Sequence, residues 1–291
     1  MAKKTEGALL EHQASARTAA AQSPSLEARI GVHTDVGKVR GNNEDSLVVV
    51  DLRKQKPIAA DGGAVVPLAA PGLLLVVADG MGGLKAGEQA SRMCVEVFPA
   101  ALMKWIKEHP AGSKEENARA LSEALQETHQ QIRGKAQADA EAKGMGSTLT
   151  AALIREDYAL IAQVGDSRAY LGHRDKVTQL TRDQTVWESM KKGAEDPGAE
   201  FSNAPWKNML SQAMGAQETM QPVVTEHSLQ YDDWLLLCSD GLYRVVKPED
   251  MGNAFWTSGT PREKAQWLIA LANERGGPDN CSVILCHIGT P

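Results

Sequence analysis

The sequence predicts an α+β fold in which stacked antiparallel β-sheets are covered by helices. Two observations carry this. Runs of strand-like segments are interrupted by pairs of helical segments, not by alternating single crossovers. The middle of the chain reads as a meander of short strands separated by tight turns, which is antiparallel territory.

Taken in order, residues 1–27 are rich in Ala, Ser, Gln and charge and read as a disordered or weakly helical tail, with the folded domain spanning 28–291. Ala28 to His33, Ser46 to Leu52 and Leu73 to Ala78 have strand composition, the last two forming a hairpin with a long loop around Asp61-Gly62. Apolar residues at helical spacing then predict helices over Ala86 to Glu108 and Lys114 to Ala142, separated at Pro110 and Gly112. Strands follow at Ser147 to Ile154, Tyr158 to Val164, Ala169 to Leu171 and Val177 to Leu180. Residues 184–216 break the pattern with Gly193, Pro197, Gly198 and Pro205 and read as a flap over the strand ends. Strands resume at Pro222 to Ser228 and Asp233 to Cys238. Helices at Pro248 to Phe255 and Pro261 to Arg275, each with proline in or near its first turn, precede a last strand at Cys281 to His287.

A chain of 291 residues that is 42% apolar can bury a substantial core. Its net charge of −6, with no basic block, argues against nucleic acid or a membrane surface as partner. The apolar runs fall far short of the roughly 20 residues that cross a bilayer, and the N-terminus lacks a secretory apolar stretch, so the expected location is cytoplasmic. Cys94, Cys238, Cys281 and Cys286 show no paired spacing and are expected as core thiols.

The sharpest local pattern is a repeated device. Leu73-Leu74-Leu75-Val76-Val77-Ala78 leads into Asp79-Gly80, and Trp234-Leu235-Leu236-Leu237-Cys238-Ser239 leads into Asp240-Gly241. Each reads as a buried strand ending in aspartate, with a glycine that allows close backbone approach and could offer its carbonyl as a ligand. Asp166 follows Tyr158 to Gly165 in the same way, and Asp279 stands just before the last strand. If these carboxylates converge at one sheet edge, their mutual repulsion calls for cations. No histidine or thiolate pair lies inside these segments, which favours oxygen-seeking Mg²⁺ or Mn²⁺ over zinc.

With Thr34-Asp35-Val36-Gly37-Lys38-Val39-Arg40-Gly41-Asn42-Asn43-Glu44-Asp45-Ser46 added, the chain resembles the metal-dependent protein phosphatases, the PPM or type 2C family, of bacterial type. The resemblance continues through Val77-Ala78-Asp79-Gly80-Met81-Gly82-Gly83, Met145-Gly146-Ser147-Thr148-Leu149-Thr150, Val164-Gly165-Asp166-Ser167-Arg168-Ala169-Tyr170-Leu171, Leu180-Thr181-Arg182-Asp183, Cys238-Ser239-Asp240-Gly241-Leu242 and Gly277-Pro278-Asp279-Asn280. These blocks stand in the family's order over roughly residues 28–288, and it is the ordered set that makes the match specific.

The resemblance implies a four-layer α-β-β-α sandwich with two central, mainly antiparallel sheets. It implies two metal ions held by Asp79, the Gly80 carbonyl, Asp240, Asp279 and Glu44, and a third, weaker ion at Asp166. Asp35 and Asp45 would orient ligands or waters, and Arg40 would grip the phosphate, as a guanidinium fork can. The implied reaction is hydrolysis of phosphoserine or phosphothreonine by direct attack of a metal-bridged water, with Asp79 and Arg40 as its central groups. The implied partners are phosphorylated proteins, including receptor-type Ser/Thr kinases and their substrates, acted on by a monomer. Two alternatives share these residues: a catalytically weak phosphoprotein-binding regulator and a hydrolase of small phosphate esters. The chain departs from the family where Met81 replaces the histidine of animal members, where Gln184-Thr185 replaces His-Ser, and where Ser147 replaces Thr.

Overall fold

The first and last strands lie side by side. β1 (Glu27–Asp35) pairs antiparallel with β13 (Cys281–Gly289) along its whole length, Glu27 opposite Gly289 and Asp35 opposite Cys281. They sit in a six-stranded sheet completed by β4 (Val65–Pro67), β9 (Arg168–His173), β10 (Lys176–Gln179) and β12 (Trp234–Cys238), in the order β10-β9-β12-β13-β1-β4. The second sheet holds β2 (Asp45–Asp51), β3 (Lys56–Pro57), β5 (Leu73–Met81), β7 (Leu149–Arg155), β8 (Tyr158–Val164) and β11 (Val223–Ser228), in the order β11-β8-β7-β5-β2-β3, with the short β6 (Gly146–Ser147) added to the end of β5. This computed structural model describes residues 26–58, 64–191 and 206–291. Nearly all of the expected tail, the Asp61-Gly62 turn and the centre of the expected flap lie outside them.

Helices cover both outer faces. α1 (Leu84–Glu108) and α2 (Lys114–Ala138) pack on the second sheet, and α5 (Pro248–Trp256) and α6 (Pro261–Glu274) on the first. Two short helices, α3 (Val186–Lys191) and α4 (Asp240–Tyr243), lie between them in sequence. The result is the expected sandwich, with three apolar layers between four structural ones. The alternation along a strand shows how. Leu73, Leu75 and Val77 of β5 join the core between the sheets, while Leu74, Val76 and Ala78 face the first helix pair. In β12, Leu235 and Leu237 face the inter-sheet core, and Leu236 and Cys238 the second helix pair. Because both faces of these strands are apolar, hydrophobicity alone does not set their register; their polar ends must.

Local signals agree with the helix boundaries. Ser113 and Glu116 form a capping box at the start of α2, and Thr260 and Glu263 do so at α6, where Pro261 occupies the first turn. A Cβ on Gly31 would stand 2.1 Å from the Pro261 carbonyl, so only glycine lets β1 receive the start of α6. Helix α2 ends at Ala138, earlier than its apolar spacing predicts, because Asp139 turns extended and its carboxylate caps a 3₁₀ turn over Ala140–Ala142. All four cysteines are buried and unpaired, as expected. No helix among the described residues is long and apolar enough to cross a membrane.

Candidate active site

The two Asp-Gly devices reach the same place by different local structures. Asp79 and Gly80 do not end β5 but lie within it: Asp79 pairs across to Asp45 of β2, and Gly80 to Ser147 of β6. The Thr148 hydroxyl accepts from the Asp79 N–H at 2.9 Å, and the Asp79 carbonyl accepts from the Thr148 N–H at 2.8 Å and the Ser147 hydroxyl at 3.0 Å. β12 does stop at Cys238; Ser239 is the N-cap of α4, and Asp240 opens that helix. Both glycines are obligatory by contact. A Cβ on Gly80 would lie 2.1 Å from the Gly87 carbonyl oxygen, and one on Gly241 would lie 2.1 Å from that of Asn280.

These segments and two loops line a cleft of about 450 Å³. Of the expected ligands, Glu44, Asp79, Gly80, Asp166, Asp240 and Asp279 all line it, together with Arg40. Asp45 lies beneath, taking a 2.7 Å hydrogen bond from the Ser239 hydroxyl. Asp35 is not part of the lining; its Oδ1 accepts from the Gly37 N–H at 2.8 Å and the Asn273 amide at 3.0 Å, which fixes the turn leading to Arg40. Asn280 ties the floor together. Its amide donates to the Val36 and Asn42 carbonyls, and its Oδ1 accepts from the Glu44 N–H at 2.9 Å. Asn43 serves the turn, donating to the Thr34 hydroxyl and accepting from the Asp45 N–H.

The carboxylates crowd one another. Burial, followed by the charges of Asp45, Asp240, Asp166 and Asp279, pushes Asp79 well above the usual range. Burial likewise lifts Asp240 to about 7 and Asp45 to about 6. Burial raises Glu44 and Asp166 too. Two arginines lie among them: Arg40 Nη2 is 2.8 Å from Asp279 Oδ2, and Arg244 pairs with Asp240 and reaches within 3.9 Å of the same Asp279 oxygen. As arranged, no three His, Cys, Asp or Glu side chains among the described residues enclose an ion.

The donor set nonetheless suits a hard cation. Asp240 Oδ1 and Asp45 Oδ1 are buried with no hydrogen-bond partner among the described residues, which is costly for a carboxylate unless a cation faces it. The Arg40 side chain is 54% exposed and can leave Asp279 without repacking the core.

Arg244 and Tyr243 escaped the sequence reading. Arg244 is the chief one; its signal was the i, i+4 spacing from Asp240, visible only once a helix is placed after Ser239. Tyr243, beside it, donates from its hydroxyl to Asp166 Oδ2 at 3.1 Å. The base of the flap is held by Gln184, whose Oε1 accepts from the Gly165 N–H at 2.9 Å, and by a bridge between Thr185 and Leu210. From the described part of the flap, Asn208, Met209 and Leu210 form one wall of the cleft.

The protein phosphatase 2C family model matches residues 52–271. The serine/threonine phosphatase stp of Listeria innocua is 34% identical over 252 residues, covering 87% of this chain and 92% of its own length. The solved serine/threonine phosphatase of S. agalactiae superposes with a TM-score of 0.76 at 28% identity, covering 91% of this chain and 100% of that one. The catalytic domain of the serine/threonine protein phosphatase PstP, solved with two manganese ions, gives a TM-score of 0.71 at 31% identity over 91% of this chain and 100% of that one. A match over most of the chain, in sequence and in fold, leaves one conclusion: this chain belongs to the protein phosphatase 2C family.

Proposed function

We propose that this chain is a metal-dependent protein phosphatase that hydrolyses phosphoserine and phosphothreonine. The observation that carries the reading is a cleft where carboxylates from four distant parts of the chain, Glu44, Asp79, Asp240 and Asp279, meet beneath an exposed arginine, with Asp240 Oδ1 buried and lacking a hydrogen-bond partner among the described residues. Mg²⁺ or Mn²⁺ would be held by Asp79, Asp240, Asp279, the Gly80 carbonyl and Glu44. Bound there, such ions supply Lewis-acid neutralisation of the phosphoryl oxygens and lower the pKa of the attacking water. The two manganese ions in the PstP catalytic domain support this choice of metal.

The chain's own residues do the rest. Asp79 is held rigidly because its N–H and carbonyl are both bonded to Thr148 while β2 flanks it on the other side, so its carboxylate has little freedom to follow the substrate. Arg40 keeps its charge at any working pH and, swinging from Asp279, presents a fork to the phosphoryl group. Asp45 and Ser239 support the floor from below. The flap wall of Asn208, Met209 and Leu210 meets whatever flanks the phosphorylated residue. The substrates in this reading are cytoplasmic phosphoproteins, among them receptor-type Ser/Thr kinases and their targets, and the enzyme acts as a monomer.

Turnover of an aryl phosphate and of a phosphothreonine peptide, each with Mn²⁺ and with EDTA, tests the reading. Metal-dependent cleavage of both is expected. Peptide bound but never cleaved would make the protein a phosphoprotein-binding regulator, and cleavage of the small ester alone would remove proteins as substrates.

A further inference from the structure

The family resemblance implies a third ion at Asp166, yet the surroundings of this aspartate are already supplied with positive charge and a proton donor. Asp166 Oδ2 accepts the Tyr243 hydroxyl at 3.1 Å. The next residue, Arg244, pairs with Asp240, and its charge bears on both Asp240 and Asp166. A single turn of α4 thus delivers a hydroxyl to one carboxylate and a guanidinium to the other. The turn is braced from behind: Arg168 stacks over the Tyr243 ring at 3.6 Å and holds Asp183 through two bonds of 2.8 and 2.6 Å. Burial raises the Tyr243 hydroxyl far above its ordinary range, so it remains a donor.

We propose that Arg244 is a built-in cation that takes the place of a third divalent ion between Asp166 and Asp240, so that this site takes two ions and not three. A guanidinium fixed through one helical turn offsets one charge of the Asp166–Asp240 pair at any concentration of free metal. Asp240 keeps its unpartnered Oδ1 for an ion on the other side, whereas Asp166 is left as a support for Tyr243 and the floor of the cleft. Arg244 also lines the neighbouring 370 Å³ pocket with Trp187 and Lys207, which gives its side chain room beside the cleft.

The inference rests on the proposed metal-dependent site, and the test separates the two. Free Mn²⁺ is followed by its electron paramagnetic resonance signal during titration of the full chain into the millimolar range, and bound equivalents are counted. Two equivalents are expected for the unaltered protein and for Arg244→Lys, and a third, weak one for Arg244→Gln. Asp166→Asn should leave the unaltered protein at two and remove the added equivalent from Arg244→Gln. Circular dichroism shows whether each variant is folded, and Arg244→Lys keeps the comparison valid if Arg244→Gln is not. Three equivalents in the unaltered protein, one of them lost in Asp166→Asn, overturn the inference alone. Two equivalents in both the unaltered protein and a folded Arg244→Gln also overturn it. No bound Mn²⁺ at all brings down the metal-dependent reading beneath it.

Discussion

Asp79-Gly80 and Asp240-Gly241 look alike in sequence and are built differently. The first sits inside a strand gripped by neighbours on both sides, and its carboxylate has carboxylates around it, with no arginine among the described residues paired with it. The second opens a short helix, and its carboxylate is bonded to an arginine on the same turn. One device is therefore a rigid anchor whose charge is left for a cation to stabilise, and the other is an adjustable one whose charge is partly offset by an arginine. The lesson is that an Asp-Gly after a buried strand fixes where a carboxylate goes but not how its charge is balanced.

The largest expected effect falls on the anchor. Asp79→Asn should lower kcat on aryl phosphate by on the order of a thousand-fold, while Asp240→Asn, with Arg244 released from its partner, should lose on the order of a hundred-fold. Both should keep a native circular dichroism spectrum; if the order is reversed, the contrast between the two devices is wrong. The glycines test rigidity. Each alanine substitution puts a Cβ about 2.1 Å from a backbone oxygen, and each should cost about 1–3 kcal/mol in denaturant unfolding. Gly80→Ala is expected to be the worse of the two, since a strand with neighbours on both sides cannot shift as a helix start can.

Arg40→Ala comes next, with an expected rise in KM of about ten-fold, equivalent to about 1.4 kcal/mol of lost phosphate binding, and a smaller change in kcat. An unaltered KM would remove Arg40 from the site. A further effect, read in Tm and not in turnover, is on stability against pH. Asp45 and Asp240 titrate near 6 and 7 in the folded protein, against about 3.9 when unfolded. The folded state therefore binds more protons than the unfolded one between those values, and stability must fall as pH rises through that window. In EDTA, Tm should decline between about pH 4 and pH 7 on this account, and Mn²⁺ should flatten the decline by taking over the charge. A Tm in EDTA that climbs steadily across the same range would show that the aspartates are not held as described.

Much of this architecture is legible in the residues. Buried runs such as Leu73 to Ala78 mark central strands, and the Ser113/Glu116 and Thr260/Glu263 boxes mark helix starts within a residue. The ordered motifs led to Arg40, Glu44, Asp79, Asp166, Asp240 and Asp279, and all line the cleft. Asp35 shows the limit: its place in a motif pointed toward the metal site, whereas its bonds serve a turn. β4 was also out of reach, since Val65–Pro67 leaves the β2–β5 hairpin to pair with β1 in the other sheet, a partnership no local pattern encodes.

Periodicity, caps and turn residues act over a few neighbours, so the chain alone determined which segments become strands and helices and which side chains can carry charge chemistry. The balance of that charge depends on groups far apart in sequence, such as Arg40 against Asp279 and Ser239 against Asp45. Electrostatic free energy depends on distance and burial, and both exist only after the two sheets have closed on each other.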